Sequence, residues 1–527
     1  MTMREKYMTP RISKEKVIPV KKLGKKLENE PGLEFTKKLY QEFPKAEIYV
    51  VGGTVRDCMM GRDDSKDYDL VVRNVPAKEL AKTLGLLGRL DLVGARFGVF
   101  KFVPRAHELA QAIDIALPRR DIAFGTGGYR DFETQSDPGL AVEEDLSRRD
   151  FTWNAMAWEL RQGNLVDPFG GIFDLEAGLV RAVGKPEERF GEDYSRMLRA
   201  IRFAARFGFK IEPDTWQAIQ KLASHIDDEK MVAGKIERIV PYEVIAREFL
   251  KALYADPLRA LELYENAGLL LRVLPELEAM RACPQPPQFH REGDVWTHTK
   301  MALANLHSQG FKELFGRDPS PEVVFAVLLH DVGKPATLKT PEHDGANRIR
   351  FDGHDQVGAA ITEKICERLK INAVPDIEID TGRVVWLVRN HLFTLNTNLS
   401  TVRKTTLEKY FFNPQNPGQE LLEVTYADAT AAIPLTGEPD LGNLKKVFTL
   451  IQELDELRRE RPALPKALLN GDEIMKILKL KPGPKVGKII LELREAQLGG
   501  RVTTKKEAAM FIKKNIIPSN KSGSLKH

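Results

Sequence analysis

The segment from Ile48 to Val72, IYVVGGTVRDCMMGRDDSKDYDLVV, constrains this chain more than any other. Two adjacent glycines follow four apolar residues; an Arg-Asp pair comes next, and then Asp67 and Asp69 one residue apart. An apolar run ending in Gly52-Gly53 reads as a buried strand turning sharply, because glycine lets backbone N–H groups approach an anion closely. Side chains two apart on a strand share a face, so Asp67 and Asp69 present two carboxylates to one point. Two hard oxygen ligands converging there suit Mg²⁺ carrying a nucleotide triphosphate. Arg56 can add a charge-assisted bond to a phosphate. Together, in this order, these features favour nucleotidyl transfer over a bare turn followed by a solvated acidic loop.

At 527 residues the chain is too long for one core, and three or more domains are expected. No apolar run approaches the roughly 20 residues that cross a bilayer. The first thirty residues lack the apolar centre of a secretory signal and carry acids that transit peptides avoid, so a cytoplasmic protein without a membrane partner is expected. Cys58, Cys283 and Cys366 lie too far apart for a zinc cluster and read as small buried hydrophobes. The net charge of +5 conceals an asymmetry: residues 441–527 hold 19 Lys+Arg against 9 Asp+Glu, and residues 1–32 hold 9 against 4. Basic ends around an acidic middle suggest termini that touch a polyanion.

Along the chain, Ile48–Val51, Asp69–Val72, Val99–Val103 and Ala112–Leu117 read as strands of a small mixed sheet within residues 33–161. From about residue 170 the pattern turns helical. In EDYSRMLRAIRFAARFGF, Met197, Leu198, Ile201, Phe203, Ala204 and Phe207 form one broad apolar stripe. Breaks are expected at CPQPPQF (283–289), at NPQNPGQ (413–419) and near 436–442.

Two further clusters carry charge in useful places. EEDLSRRDFTWNAMA (143–157) holds Arg148, Arg149, Asp150 and Asn154; two adjacent arginines cannot both face a core, and one can clamp triphosphate oxygens. In EDYSR, Asp193 and Arg196 are three apart, which on a helix makes them neighbours. An acceptor and a forked donor side by side match the Watson–Crick edge of a base.

GGTVRD with DYD, RRDFTWNA and EDYSRMLRAIRFAAR, in this order and spacing, resemble the class II tRNA nucleotidyltransferase and bacterial poly(A) polymerase family over nearly the whole chain. The resemblance implies an α+β architecture: a polymerase-β-like head of small mixed sheet and helices, followed by all-α neck, body, HD domain and tail. The expected division is a basic extension (1–32), head (33–161), helical neck and body (162–285), HD domain (286–440) and basic RNA-binding tail (441–527). It implies that Asp67 and Asp69 hold Mg²⁺, with Asp114 as a third carboxylate, and that Gly52, Gly53, Arg56 and Asp57 line the triphosphate path. Arg148, Arg149, Asp150 and Asn154 would surround triphosphate and sugar. Asp193 and Arg196 would read cytosine or adenine as a protein template, with Arg199 as a further nucleotide contact. A tRNA 3′-hydroxyl would then attack the α-phosphate in line. The glycine-rich IAFGTGGYRDFET resembles the flexible loop of enzymes that switch from C to A addition. Trp153 and Tyr194-Ser195 depart from the family pattern, Trp153 with consequences for packing beneath the site.

Downstream, LLHDVGKP (328–335) pairs His330 with Asp331 after an apolar helix, and six of the ten histidines fall within 290–360. That density favours a metal centre. The region resembles the HD phosphohydrolase domain of many members of the same family. The resemblance implies His298, His330, Asp331 and Asp428 as metal ligands, with His354 and His391 as further ligands or phosphate contacts. A mixed His/Asp set suits Mn²⁺, Ni²⁺ or Co²⁺ better than Mg²⁺ alone, since imidazole is the softer ligand. Such an ion would activate a water for phosphoester hydrolysis.

Residues 470–508 contain a Pro-Gly-Pro turn followed by Lys485 and Lys488, well placed for phosphates, and resemble the family's tail module that binds the body of a tRNA. The leading expectation is CCA addition to tRNA 3′ ends from CTP and ATP, coupled to a phosphohydrolase; DNA is not an expected partner. Poly(A) addition to RNA is the nearest alternative. A chain acting mainly as an HD phosphohydrolase, with the head only binding RNA, is the third.

Overall fold

The computed structural model describes residues 17–62, 68–92, 99–105, 112–129, 131–459 and 467–515. The chain divides into two compact units, 1–278 with 366–378, and 279–365 with 379–527. The segment 366–378 thus belongs with the first unit, although it falls inside the range expected for the HD domain.

The first unit is built on a seven-stranded mixed sheet. Its strands are β1 (Glu47–Val51), β2 (Asp69–Arg73), β3 (Gly88–Leu92), β4 (Val99–Pro104), β5 (Ile113–Ala116), β8 (Ala157–Glu159) and β9 (Asn164–Val166), in the order β3-β4-β5-β2-β1-β8-β9. The four strands expected from the sequence are present; β3, β8 and β9 were not anticipated. Ile48, Tyr49, Val50 and Val51 of β1 are all buried, as a central strand covered on both faces requires. Pairing is antiparallel throughout this sheet except between β2 and β5, where Asp69 lies opposite Asp114. A separate antiparallel pair, β6 (Arg119–Ala123) and β7 (Phe132–Ser136), brackets the glycine-rich loop.

Beyond the sheet the chain is mainly helical. Helix Ser195–Phe207 buries the whole expected apolar stripe, from Met197 to Phe207. It begins at Ser195, so Asp193 stands in extended backbone (φ −156°) as the C-cap of helix Pro186–Glu192. Asp193 and Arg196 therefore do not share the one helix that their spacing suggested, although their side chains still come within 3.9 Å of each other. The Asp193 carboxylate instead accepts from the Ser195 backbone N–H.

The second unit gathers helices Val295–Asn305, Pro321–Leu329, Thr381–Asn390 and Gly418–Ala431 around a common core. Pro321–Leu329 carries apolar residues all round and buries every residue from Val323 to Leu329, the pattern of a central helix. Ser320 caps its N-terminus and Asp294 that of Val295–Asn305, each accepting the backbone N–H three residues on. The C-terminal helices Gly471–Leu478, Pro484–Leu498 and Lys505–Asn515 share a smaller core that includes Ile474, Ile489, Leu493 and Ile512. All three cysteines are buried thiols. No helix among the described residues is long and apolar enough to cross a membrane.

Candidate active site and metal centre

At the C-terminal end of β1 the chain turns through Gly52, whose φ of +71° is unfavourable for other residues. A Cβ placed there would stand 2.6 Å from Arg149 Nη1 and 3.8 Å from Asp69 Oδ2. The turn, the arginine and the carboxylate therefore meet at one point. Parallel register sets Asp114 beside Asp69, and side chains at paired positions project to the same face. Asp69 is exposed and Asp114 half-buried, so both carboxylates can take a solvent-borne ligand. Asp67 lies outside the described residues.

The other residues expected at the nucleotide divide into two groups. Arg149 stays at the turn, near the Asn154 carbonyl (3.5 Å) and Asp145 (3.5 Å). Arg148 points elsewhere: it bonds Asp145 at 3.0 Å and Asp121 of β6 at 3.1 Å, fastening the β6–β7 hairpin to the head. Arg56 is buried, donating to both oxygens of Asp57 (2.7 and 2.8 Å) and to Asn154 Oδ1 (2.8 Å). Its guanidinium lies 5.2–5.4 Å from the rings of Trp153, Phe203 and Phe207. Asn154 in turn donates to Asp150 (2.9 Å), which takes two bonds from Arg199 (2.5 and 2.8 Å). Burial alone would raise the Asp150 carboxyl, but the Arg199 charge and the Asn154 and Arg199 donors hold it well below the usual carboxylate range. Arg56, Asp57, Asn154 and Asp150, all buried, and the half-buried Arg199 thus form one polar chain joining the glycine turn to helix Ser195–Phe207.

Asp193 Oδ2 and Arg196 Nε are 3.9 Å apart, and Arg196 is steadied by Glu192 (2.8 Å) and by the Arg148 carbonyl (3.1 Å). A Cβ on Gly53 would stand 3.4 Å from Arg56 Nη2. Trp153 fills the floor below: it is fully buried, stacks on Phe151 at 5.4 Å, meets Phe203 edge-on at 4.8 Å and donates from Nε1 to the Leu179 carbonyl. Tyr194 stacks on His225 (5.0 Å, 9°) and receives the glycine-rich loop, donating its N–H to the Gly127 carbonyl.

In the second unit, His298, His330 and Asp428 bring ligand atoms within 4.8 Å of one another, as do Asp331, His354 and His391. All six expected ligands therefore converge. Asp331 lies between the triads, with Oδ2 3.2 Å from His330 Nε2 and Oδ1 3.4 Å from His354 Nε2. Three of the rings face backbone carbonyls through Nδ1: His330 to Val327, His354 to Phe351 and His391 to Val388, at 2.7–2.8 Å. Those carbonyls assign the ring proton to Nδ1 and leave Nε2 as a lone pair. His330 Nε2 is buried with no hydrogen-bond partner, and the Nε2 atoms of His354 and His391 meet at 3.2 Å. Nε2 atoms this close, beside the unpartnered Nε2 of His330 and the Asp331 carboxylate, can share one cation, so the residues fit a bound metal. Burial, then the neighbouring His330 and His354, lower His391 to about 4, whereas Asp331 raises His354 against the effect of burial.

Four residues around this centre were not foreseen. Glu292 accepts from His298 Nδ1 (2.8 Å) and His290 (2.7 Å), and its second oxygen takes the Ile433 N–H. Burial opposes the proton on His298, but Asp428 and Glu292 outweigh it and raise the ring to about 9; the same carboxylates would favour a metal cation at Nε2. Lys334 is buried between Asp331 (2.7 Å) and Gln285 (2.8 Å). Only the local histidine density hinted at His290; nothing in the spacing marked Glu292, Gln285 or Lys334.

A family model described as the poly A polymerase head domain matches residues 48–181, and one described as the HD domain matches residues 295–433. The chain is 37% identical to the multifunctional CCA protein of Nitrosococcus oceani over 330 residues, covering 62% of this chain and 70% of that protein. It is 35% identical to the A-adding tRNA nucleotidyltransferase of Deinococcus radiodurans over 379 residues, 71% of this chain and 79% of the relative. The fold is similar to the CCA-adding enzyme of Bacillus stearothermophilus crystallised with CTP, with a TM-score of 0.57 and 21% identity over 92% of this chain and 98% of that one.

Proposed function

Because the chain belongs to the family of class II tRNA nucleotidyltransferases and bacterial poly(A) polymerases, in the form that carries an HD domain, we propose that it adds CCA to tRNA 3′ ends in the cytoplasm from CTP and ATP, and hydrolyses phosphoesters at the HD centre. The observation that carries the first activity is the meeting of Asp69, Asp114 and Arg149 at the Gly52 turn. Asp69 and Asp114, with Asp67, would hold Mg²⁺. Arg149 and the backbone N–H groups after Gly52 bind the triphosphate, and the polar chain from Arg56 to Arg199 holds turn and neck in fixed relation. Asp193 and Arg196 offer an acceptor and a donor to the base. Bound divalent ions would neutralise charge on the reacting phosphates and favour ionisation of the attacking hydroxyl.

For the HD centre, six imidazole and carboxylate ligands favour Mn²⁺, Ni²⁺ or Co²⁺ over Mg²⁺, and the ion would lower the pKa of a water. Lys334 stands ready to balance charge on the phosphoester. We assign the head to 33–161, neck and body to 162–285, the HD domain to 286–440 and tRNA-body binding to the tail from 441, with Lys485 and Lys488 exposed behind the Pro-Gly-Pro turn.

A second reading, A-only addition, is favoured by the similarity to the A-adding enzyme of Deinococcus radiodurans. One experiment separates the readings: tRNA lacking its 3′ end is incubated with CTP and ATP, singly and together. Addition of three nucleotides and no more supports CCA synthesis; a single A added only to tRNA already ending in CC supports the second reading, and a long A tail would indicate a poly(A) polymerase. Incorporation that survives Asp67→Ala with Asp69→Ala would sink the assignment of the head.

A further inference from the structure

Residues 17–30 of the basic extension have no part in either site, yet they fold onto the head. Helix Val20–Glu28 buries Leu23, Gly24 and Leu27. A Cβ on Gly24 would stand 2.7 Å from the Trp158 ring, and the Ile18 N–H donates to the Met59 carbonyl at 2.8 Å. These contacts fix the helix's rotation. At about 100° per residue, Lys21, Lys22, Lys25 and Lys26 then fall on the opposite side, and Lys21, Lys22 and Lys25 are exposed.

Ile18 touches Gly61, where a Cβ would lie 3.7 Å from Ile18 Cγ2, and the next residue is Arg62. Arg62 and Arg206 both lie over Phe207, at 4.9 and 5.2 Å, with Arg56 on the same ring at 5.2 Å. Burial, then repulsion from Arg56 and Arg62, pushes the Arg206 guanidinium below its ordinary value, with Asp57 pulling the other way. Arg56 is already paired with Asp57, whereas Arg206 is exposed beside it and can meet an anion from solvent.

We propose that the lysine face of helix Val20–Glu28, continued by Arg62 and Arg206, is a docking surface for the phosphate backbone of the RNA whose 3′ end the head extends. The proposal rests on the function assigned above. A lipid surface is a poor match, because a helix lying on a membrane inserts its apolar side and here Leu23 and Leu27 are buried in the head. Lysines in a row on a rigid helix, beside guanidiniums stacked on an aromatic ring, suit a chain of phosphates.

The test compares the full-length protein with K21E/K22E/K25E, with R206Q and with the control K78E/K82E, which reverses two exposed lysines on helix Ala77–Leu87. Binding to tRNA lacking its 3′ CCA is followed by fluorescence anisotropy across a KCl series, and KM is measured for tRNA and for CTP. The lysine variant should bind about tenfold or more weakly, and its log Kd–log[KCl] slope should fall by about 2–3. KM for tRNA should rise in K21E/K22E/K25E and in R206Q while KM for CTP holds. The control should match the wild type. Unchanged affinity and slope, or an equal loss in the control, would overturn the proposal. Wild-type protein that adds no nucleotide to this tRNA would sink the functional reading instead, a result visible before any variant is made.

Discussion

Asp193 shows how a single side chain acquires a property its sequence position does not announce. Burial raises its carboxyl above the ordinary aspartate value, against the Ser195 donors and the Arg196 charge. A carboxylate that reads a base must be ionised, and a raised pKa means the proton returns earlier as pH falls. CTP incorporation should therefore decline on the acid side at a pH above the normal aspartate range. In Asp193→Asn that limb should vanish and selection between CTP and ATP should relax; identical acid limbs in the two proteins would refute this. Glu292 works in the opposite direction. Burial would raise it, but the His290 and His298 hydrogen bonds hold it at about 2, so it is ionised and fixes the His298 ring. Glu292→Gln should weaken Mn²⁺ or Ni²⁺ binding roughly 10–100-fold by calorimetry with little change in secondary structure.

Close backbone approaches decide what the elements can do. The turn after His330-Asp331 packs so tightly on helix His354–Arg368 that a Cβ on Gly333 would stand 2.2 Å from the His354 carbonyl and 2.5 Å from Gly358 N. Both contacts are with backbone, which cannot swing aside. Gly333→Ala should push His354 away from Asp331, costing about 1–3 kcal/mol in a denaturant melt and most of the metal affinity. Wild-type metal binding in this variant would show that the turn does not position the ligand. The same logic holds in the glycine-rich loop: Gly127 has φ +75°, and a Cβ there would meet the Tyr194 ring at 2.0 Å. Gly127→Ala should unseat the loop from Tyr194 and reduce addition of A after CC more than addition of C, as gel-resolved product lengths would reveal.

At the scale of the molecule, each chemistry has its own core: the sheet and neck for one, the helices around the metal centre for the other. Asp331→Ala should abolish metal-dependent hydrolysis of a model phosphodiester and leave nucleotide addition within about twofold. A parallel loss of both activities would show that the units depend on one another for folding. Much of this was legible in the sequence. The Gly-Gly turn and the HD pair are local signals, since each depends on residues within a few positions of one another. So are the apolar stripe of Ser195–Phe207 and the four expected strands. Arg148 and Arg149 could not be told apart that way, because which one faces the turn depends on Asp121, distant in the chain. Glu292 was invisible for a similar reason: a carboxylate in a loop acquires a role only when the fold brings His298 and Ile433 to it.

The order of residues carries the chemistry: which carboxylates, histidines and arginines exist, and where glycines permit a backbone to pass close to phosphate. Their partners come from packing and long-range pairing. Parallel register set Asp114 beside Asp69, packing turned Arg56 inward against three aromatic rings, and helix capping took Asp193 off the helix it was expected to share with Arg196. Spacing along a chain fixes which side chains can share a face, but only burial and long-range pairing fix what that face meets.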